Sequence, residues 1–151
     1  MKNYFKIILL AVVALVLISI PQLNDRVIDK ESDLLISEDG YYTSKDEVAL
    51  YIIEYNKLPS NYITKDEARD LGWKPSENNL WQVSDKKSIG GDLFYNREGL
   101  LPKSKNRQYY EADIDYNGKR RNAKRIVFSN DKLIYYTDDH YDSFEKLYGD
   151  E

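Results

Sequence analysis

The chain has no cysteine and only one histidine, His140, among its 151 residues. Without cysteine there is no disulfide framework, no thiolate nucleophile and no zinc–thiolate site, so stability must come from packing. A single imidazole also excludes a metal site built from several histidines. Carboxylates, cationic side chains and one imidazole remain as the groups that can carry chemistry.

The chain also lacks an excess of positive charge. Its formal net charge is −4, and residues 41–151 carry 18 Lys and Arg against 20 Asp and Glu. The molecule as a whole therefore does not attract a polyanion, and binding to one must rest on local clusters of cations. With 42% hydrophobic and 32% charged residues, the length suits one domain with its own core.

The amino terminus is typical of an export segment. Lys2 and Lys6 precede residues 7–20, a run of 14 residues that is apolar at all but one position. This run is shorter than the roughly 20 residues that cross a bilayer as a helix, and its positive flank matches a signal peptide. No A-x-A cleavage pattern precedes the first proline, so an uncleaved anchor through residues 4–20 is the alternative. Secretion is predicted, with membrane anchoring as the alternative.

The next stretch, residues 21–40, combines charged clusters with scattered aliphatic side chains. Such a composition is typical of a linker or pro-segment. The predicted organisation is therefore a signal peptide or N-terminal anchor at 1–20, a linker at 21–40 and one folded domain at 41–151.

Two helices are predicted at the start of that domain. Ser44 and Glu47 form a capping-box pattern, and Thr64 and Glu67 repeat it. The first box is followed by an apolar stripe with helical spacing, Val48, Tyr51, Ile52 and Tyr55. The second opens a shorter helix that Gly72 can close in the left-handed conformation.

The remainder alternates in the manner of strands. Residues 109–116 place three acidic side chains on one face and three apolar ones on the other: Ala112, Ile114 and Tyr116. Asn117-Gly118 follows, which is a hairpin signal. Further strands are predicted at 93–95, 125–128 and 133–137. The predicted fold class is α+β, with N-terminal helices packed on one face of an antiparallel β-sheet.

The candidate reactive groups come from separate elements: Glu111, His140, Lys65 and the arginines within 119–125. A glutamate base, a histidine acid and several guanidiniums are what cleavage of a phosphodiester without a metal requires. The alternative is structural, because acids and cations on a hairpin are commonly a solvated face, and a lone histidine in an acidic turn is commonly a surface residue. Sequence spacing alone does not decide between them.

Seven short segments, in order and without obvious insertions between about residues 44 and 147, resemble barnase-like secreted microbial ribonucleases of the guanyl-specific N1/T1 family. They are residues 57–65, 68–73, 87–92, 96–99, 111–114, 125–126 and 137–141. The resemblance implies the microbial ribonuclease fold and an endoribonuclease that needs no cofactor and no metal.

The resemblance also implies roles for individual residues. Glu111 would be the general base that takes the proton of the ribose 2′-hydroxyl, and His140 the general acid for the departing 5′-oxygen. The product would be a 2′,3′-cyclic phosphate, which the same pair hydrolyses with roles exchanged. Lys65, Arg121 and Arg125 would hold the phosphate.

A further set would bind the substrate, and it comprises Asn96, Arg97, Glu98 and Tyr141. The first three resemble a guanine-binding loop, in which main-chain amides meet O6 and the carboxylate meets N1 and N2, while Tyr141 would pack near the base or phosphate. Two positions depart from the family: Tyr95 replaces a small residue beside this loop, and Arg120 replaces an aromatic.

The partners implied are single-stranded RNA and a barstar-like intracellular inhibitor. DNA is not expected as a substrate, because it lacks the attacking oxygen, and a monomer is expected. Two alternatives stay open at the level of sequence. One is a non-catalytic envelope or surface module whose 14 tyrosines bind a polymer, and the other is a nuclease toxin with a cognate immunity protein.

Overall fold

The computed structural model of the protein describes residues 35–150. The predicted export segment at 1–20 and residues 21–34 of the predicted linker lie outside this range. Across the described part of the chain, no helix combines the length and apolar character needed to cross a membrane. The division at Tyr41 stays a prediction, although residues just before it contact the domain.

Residues 36–40 run back along the first helix. The Tyr51 hydroxyl donates to the main-chain carbonyl of Glu38 at 2.8 Å, and the Tyr55 hydroxyl to that of Ile36 at 3.1 Å. The Glu38 carboxylate also pairs with Lys57 at 2.5 Å. The last part of the predicted linker is therefore bound to the helix by two tyrosine hydroxyls, and to Lys57 just after the helix by one ion pair.

Helix α1 spans Lys45–Tyr55 and begins where the sequence predicts. The Ser44 side chain accepts a hydrogen bond from the Glu47 amide, as a helix cap does. The return bond differs from a full capping box, since the Glu47 carboxylate accepts from the Ser44 hydroxyl and not from its amide. The helix ends at Asn56, which takes the left-handed conformation with φ of 54°.

Helix α2 spans Lys65–Asp70 and has a complete capping box between Thr64 and Glu67. Gly72 follows it with φ of 98°. Its amide bonds the Arg69 carbonyl, and the next amide, of Trp73, bonds the carbonyl at 68. This pair of bonds is the closing motif that a glycine favours, so both predicted ends of the helix are confirmed.

Six strands form one sheet in chain order, and only the first pair, β1 with β2, is parallel. The strands are β1 Tyr62–Ile63, β2 Ser88–Phe94, β3 Tyr109–Asp113, β4 Arg125–Ser129, β5 Ile134–Thr137 and β6 Glu145–Tyr148. A 3₁₀ turn at Pro75–Glu77 and a short helix α3 at Leu80–Val83 lie before β2. The α+β class is confirmed. Strand β1 was not predicted because it is only two residues long, and β6 was not predicted because three of its four residues are exposed and give no apolar face.

The predicted tight hairpin at Asn117-Gly118 is wrong. Strand β3 ends at Asp113 and β4 begins at Arg125, so a loop of residues 114–124 joins them. Gly118 has φ of 82°, and a Cβ there would lie 2.1 Å from the Trp81 ring. The glycine thus allows the loop to pack against Trp81, which is a different use of the residue from a two-residue turn.

Both faces of the sheet are covered. On one face α1 packs against alternate sheet residues, and the buried cluster includes Val48, Ile52, Ala112, Ile114, Ile126 and Ile134. On the other face lies a cluster of Leu101, Tyr109, Val127, Leu133 and Tyr135, against which Phe94, Tyr141 and Phe144 pack. Since side chains alternate along a strand, the odd-numbered residues of β3 share the second face, which places Glu111 there.

Candidate active site

Glu111 lies in the middle of β3, and its carboxylate has two donors. Lys65 Nζ bonds Oε1, and the Tyr141 hydroxyl bonds Oε2 at 2.5 Å. The side chain is 12% exposed. Burial raises the pKa of Glu111, but the bonds from Lys65 and Tyr141 and the charge of Arg121 outweigh it, so the pKa lies below its ordinary value. The carboxylate is therefore ionised at neutral pH and held in one orientation.

Lys65 reaches Glu111 because α2 starts beside β2. The Lys65 amide donates to Asp92 Oδ2 at 3.0 Å, and Asp92 pairs with Glu111 across β2 and β3. A cation in the first turn gains nothing from the helix dipole, which left the placement of Lys65 unexplained by sequence. Its ion pair with Glu111 explains that placement.

A buried carboxylate, Asp113, holds the two arginines together. Its two oxygens accept from Arg121 Nε and Nη2, each at 2.6 Å. Arg125 Nε lies 3.0 Å from Asp113 Oδ1, though without hydrogen-bond alignment. Two guanidiniums share one carboxylate, so the group keeps a net positive charge next to Glu111. The structural alternative of a solvated face does not hold for Asp113, because its side chain is only 2% exposed.

The two arginines differ in access. Arg125 is 3% exposed, and its Nη1 donates to the carbonyls of Asn122 and Lys124 at 2.7 and 2.6 Å. Arg121 is more open, and its guanidinium lies 5.9 Å from the Trp73 ring centroid. Arg121 can contact a ligand directly, whereas Arg125 acts mainly through its fixed charge.

His140 and Tyr141 follow β5 in a strained turn. Both have left-handed φ, 60° and 77°, which is costly for residues other than glycine. Asp139 fixes the turn by accepting from the Thr137 hydroxyl at 2.7 Å and from the Ser143 hydroxyl at 2.6 Å. The His140 and Tyr141 ring centroids are 4.8 Å apart, so the turn sets both side chains at once.

An open cleft of about 410 Å³ lies beside these groups. Its lining includes Trp73, Lys119, Arg120, Arg121, Arg125 and His140. Within the described residues no acidic side chain lines it. A protein with negative net charge therefore has a strongly cationic cleft at this site, which suits a phosphate backbone.

The predicted base loop follows β2 and is braced by Asn96. That side chain is buried and exchanges two bonds with the main chain of Leu101, at 2.8 and 3.0 Å. Its amide group is thus used inside the protein, and only its main chain can face a ligand. Arg97 and Glu98 are exposed. The ring of Phe94, which precedes the loop, stacks on Tyr141 with centroids 5.2 Å apart.

The structure brings the predicted catalytic residues and Tyr141 into two groups, and the predicted base loop lies apart from both. Lys65, Glu111 and Tyr141 bond directly, while Arg121, Arg125 and His140 line the cleft. Sequence reasoning missed two residues. Asp113 links Arg121 and Arg125, and Asp92 accepts a hydrogen bond from the first amide of α2. Neither has a local signal, because each partner lies on another element. Within residues 35–150 no cluster of three or more acidic or histidine side chains is arranged to hold a metal.

The chain is similar to ribonucleases over most of its length. A family model described as ribonuclease matches residues 45–148. The ribonuclease of Heyndrickxia coagulans is 54% identical over 102 residues, which cover 68% of this chain and 94% of that protein. The ribonuclease of Bacillus intermedius is also 54% identical over 102 residues, covering 68% of this chain but 63% of that protein.

A more distant relative is guanyl-specific ribonuclease St of Saccharopolyspora erythraea. It is 40% identical over 55 residues, which cover 36% of this chain and 54% of that protein. The resemblance predicted from short motifs is thereby confirmed, and so is the fold class that it implied. The chain belongs to the ribonuclease family and is a barnase-like endoribonuclease.

Proposed function

We propose that the enzyme cleaves single-stranded RNA after guanine, through a 2′,3′-cyclic phosphate that it then hydrolyses. The observation that carries this proposal is the oriented carboxylate of Glu111 next to a cationic cleft that His140 lines. Proton transfer to and from positioned side chains is what a displacement at phosphorus by an internal hydroxyl needs.

In the first step Glu111 takes the proton of the ribose 2′-hydroxyl. Its two donors, Lys65 and Tyr141, hold the carboxylate and keep it ionised. The 2′-oxygen then attacks phosphorus and the bond to the 5′-oxygen breaks. Because both oxygens of Glu111 are already bonded, the carboxylate is held in one orientation and takes up the proton without turning.

His140 gives a proton to the departing 5′-oxygen. Its turn is built rigidly by Asp139 and opens on the cationic cleft. For hydrolysis of the cyclic phosphate the roles exchange: His140 takes a proton from water and Glu111 returns one to the 2′-oxygen. No step requires a metal, so we expect cleavage to continue in EDTA.

Charge that grows on the phosphate oxygens is stabilised by Lys65, Arg121 and Arg125. Fixed cations in a site partly closed to water stabilise such charge without reorganisation. Asp113 holds the two guanidiniums before substrate arrives. We expect DNA to resist cleavage, because it lacks the 2′-oxygen.

Guanine preference is assigned to the loop of Asn96, Arg97 and Glu98. Its main-chain amides would bond O6, and the Glu98 carboxylate would accept from N1 and N2. The bonds that Asn96 makes with Leu101 keep the loop in shape, while Tyr141 and Phe94 offer stacked rings beside it. Two similar proteins bear the name guanyl-specific ribonuclease.

We further propose that the enzyme acts as a monomer outside the cell, after removal of residues 1–20 or anchored through residues 4–20. An acidic, barstar-like inhibitor inside the producing cell would fit the cleft, since that cleft is lined by cations and by no described acid. Mixing the enzyme with such an inhibitor and measuring the mass of the complex tests the partner and the monomer together.

The decisive test is product analysis on GpA and ApA, with EDTA present. We expect GpA to yield a guanosine 2′,3′-cyclic phosphate and ApA to react far more slowly. Glu111→Gln and His140→Ala should each abolish cyclisation. Glu54→Gln, an exposed position on α1, is the matched control and should keep full activity. A wild-type protein that is inert on both substrates, or that cleaves DNA, contradicts the proposal.

A further inference from the structure

A second cleft opens on the outer side of the base loop and has a volume of about 430 Å³. Its only charged lining residues, among those that the structure describes, are Arg97, Lys103 and Arg107. Arg107 is already paired with Asp131 at 2.8 Å. Lys103 is exposed and forms no ion pair with another described residue, so its charge is available to a ligand.

Tyr95 stands at the edge of this cleft and is 71% exposed. The residues on either side face inward: Phe94 stacks on Tyr141, and buried Asn96 bonds Leu101. These two anchors fix the backbone at Tyr95 and project its ring outward. The Arg97 guanidinium lies 5.6 Å from the centroid of that ring. An outward aromatic ring on an anchored backbone, with a cation at one face, is a ready surface for stacking.

Lys103 connects this surface to the base loop. Its ammonium lies where a Cβ on Gly99 would be 3.3 Å away, so it sits directly over the turn that closes the loop. The cleft therefore has an aromatic platform with one cation at its face and another next to the loop backbone. That pairing of ring and ammonium matches one nucleotide, whose base stacks and whose phosphate is paired.

We propose that this cleft binds the nucleotide on the 5′ side of the guanosine whose 2′-hydroxyl attacks. This inference rests on the proposed function, because it takes the base loop as the guanine site. The guanosine 3′-phosphate occupies the cationic cleft, so the chain 3′ to it continues there. The RNA chain on the 5′ side of the guanosine runs in the other direction, along the base loop. There the preceding base stacks on the Tyr95 ring, and the phosphate that links it to the guanosine pairs with Lys103.

Three substrates test the site: GpA, UpGpA with one nucleotide added on the 5′ side, and GpApU with one added on the 3′ side. We expect Tyr95→Ser to lower kcat/KM for UpGpA by about five- to tenfold and to leave GpA and GpApU within about twofold. Lys103→Ala should act in the same direction and also weaken the salt dependence of UpGpA cleavage. Tyr148→Ser and Lys146→Ala, on exposed positions of β6, are the controls.

Two results overturn the inference. If Tyr95→Ser loses activity equally on all three substrates, Tyr95 serves only to maintain the conformation of the base loop. If Tyr95→Ser cleaves UpGpA at the wild-type rate, no base stacks on the Tyr95 ring. If wild-type enzyme is inert on GpA, the proposed function fails instead. In that case titration of UpGpA and GpA analogues that carry 2′-deoxyguanosine still decides the matter, because the gain in affinity from the added uridine must disappear in Tyr95→Ser. Since Tyr95 is exposed, the variant should keep the thermal stability of the wild type.

Discussion

At the scale of single residues, the site depends on which carboxylates are buried. Alternation along 109–116 predicted Glu111, Asp113 and Asp115 on one face of a strand, and a solvated face was one of two alternatives. The structure gives each a different role: Glu111 bonds Lys65 and Tyr141, Asp113 binds two arginines, and exposed Asp115 pairs with Lys124. Periodicity predicts which face of the strand a side chain lies on. It does not predict which cations from later in the chain will pack against that face. The candidate residues could thus be predicted and their connections could not.

Asp113→Asn is expected to destabilise the protein by about 3–5 kcal/mol, because it leaves the charge of buried Arg125 without a partner. Asp115→Asn is the matched control two residues away. Its ion pair is at the surface, so its loss should cost less than about 1 kcal/mol. Urea unfolding at pH 7 measures both. Equal effects of the two variants would contradict the role given to Asp113.

Lys65→Met should move the acid limb of the activity profile to higher pH. Burial raises the pKa of Glu111 and Lys65 is the first of the groups that lower it. Without that lysine the carboxylate becomes protonated at a higher pH and is lost as a base sooner when the pH falls. At neutral pH we also expect kcat/KM to fall about 100-fold, as for loss of one charge-stabilising donor. Lys45→Met, far along the chain on α1, should leave the limb in place.

At the scale of elements, local signals predicted the helices better than the sheet. Cap residues Ser44 and Thr64 lie within three positions of the amides they bond, so the sequence contains the whole interaction. The Asn117-Gly118 signal failed because the glycine at 118 is needed for close packing against Trp81, which is distant in sequence. Strand β1 is fixed by its parallel pairing with β2 and not by its own two residues. The sequence therefore failed to predict the elements that depend on contacts with residues far away in the chain.

The turn between β5 and β6 gives a prediction at this scale. Bonds from Ser143 and Thr137 lower the pKa of Asp139 to about 2. A folded-state pKa below the unfolded value stabilises the protein above pH 4, and that stabilisation is lost as the pH falls through about 2. Asp139→Asn should therefore lower the Tm at pH 7, and the difference from wild type should shrink between pH 4 and pH 2. A difference from wild type that stays constant between pH 4 and pH 2 contradicts this role of Asp139.

At the scale of the whole molecule, an acidic protein presents a cationic cleft. The net charge of −4 opposes the approach of RNA from a distance, while Arg120, Arg121 and Lys119 attract it near the site. Screening by salt weakens both effects, but binding releases counterions only where phosphates contact cations. Net charge alone argued against nucleic acid as a partner, and the arrangement of the charges reverses that conclusion.

Arg120→Ala should weaken binding of single-stranded RNA to a similar extent for all sequences. If Arg120 contacts one phosphate, the slope of log affinity against log salt should become shallower by about 0.7. Arg69→Ala on α2, where the arginine pairs with Asp66 at the surface, removes the same charge elsewhere and should leave the slope unchanged. Titration of a catalytically inactive Glu111→Gln background between 50 and 200 mM salt measures it.

The two hydrogen bonds between α1 and residues 36–40 bear on how far the chain can be shortened from its amino terminus. A cut after Gly40 would remove the carbonyls of Ile36 and Glu38, and the phenols of Tyr51 and Tyr55 would lose their acceptors. Each such bond contributes about 0.5–1.5 kcal/mol. A variant that begins before Ile36 should therefore survive heating better than one that begins at Tyr41, so five residues outside the predicted domain contribute to how long the fold lasts at high temperature.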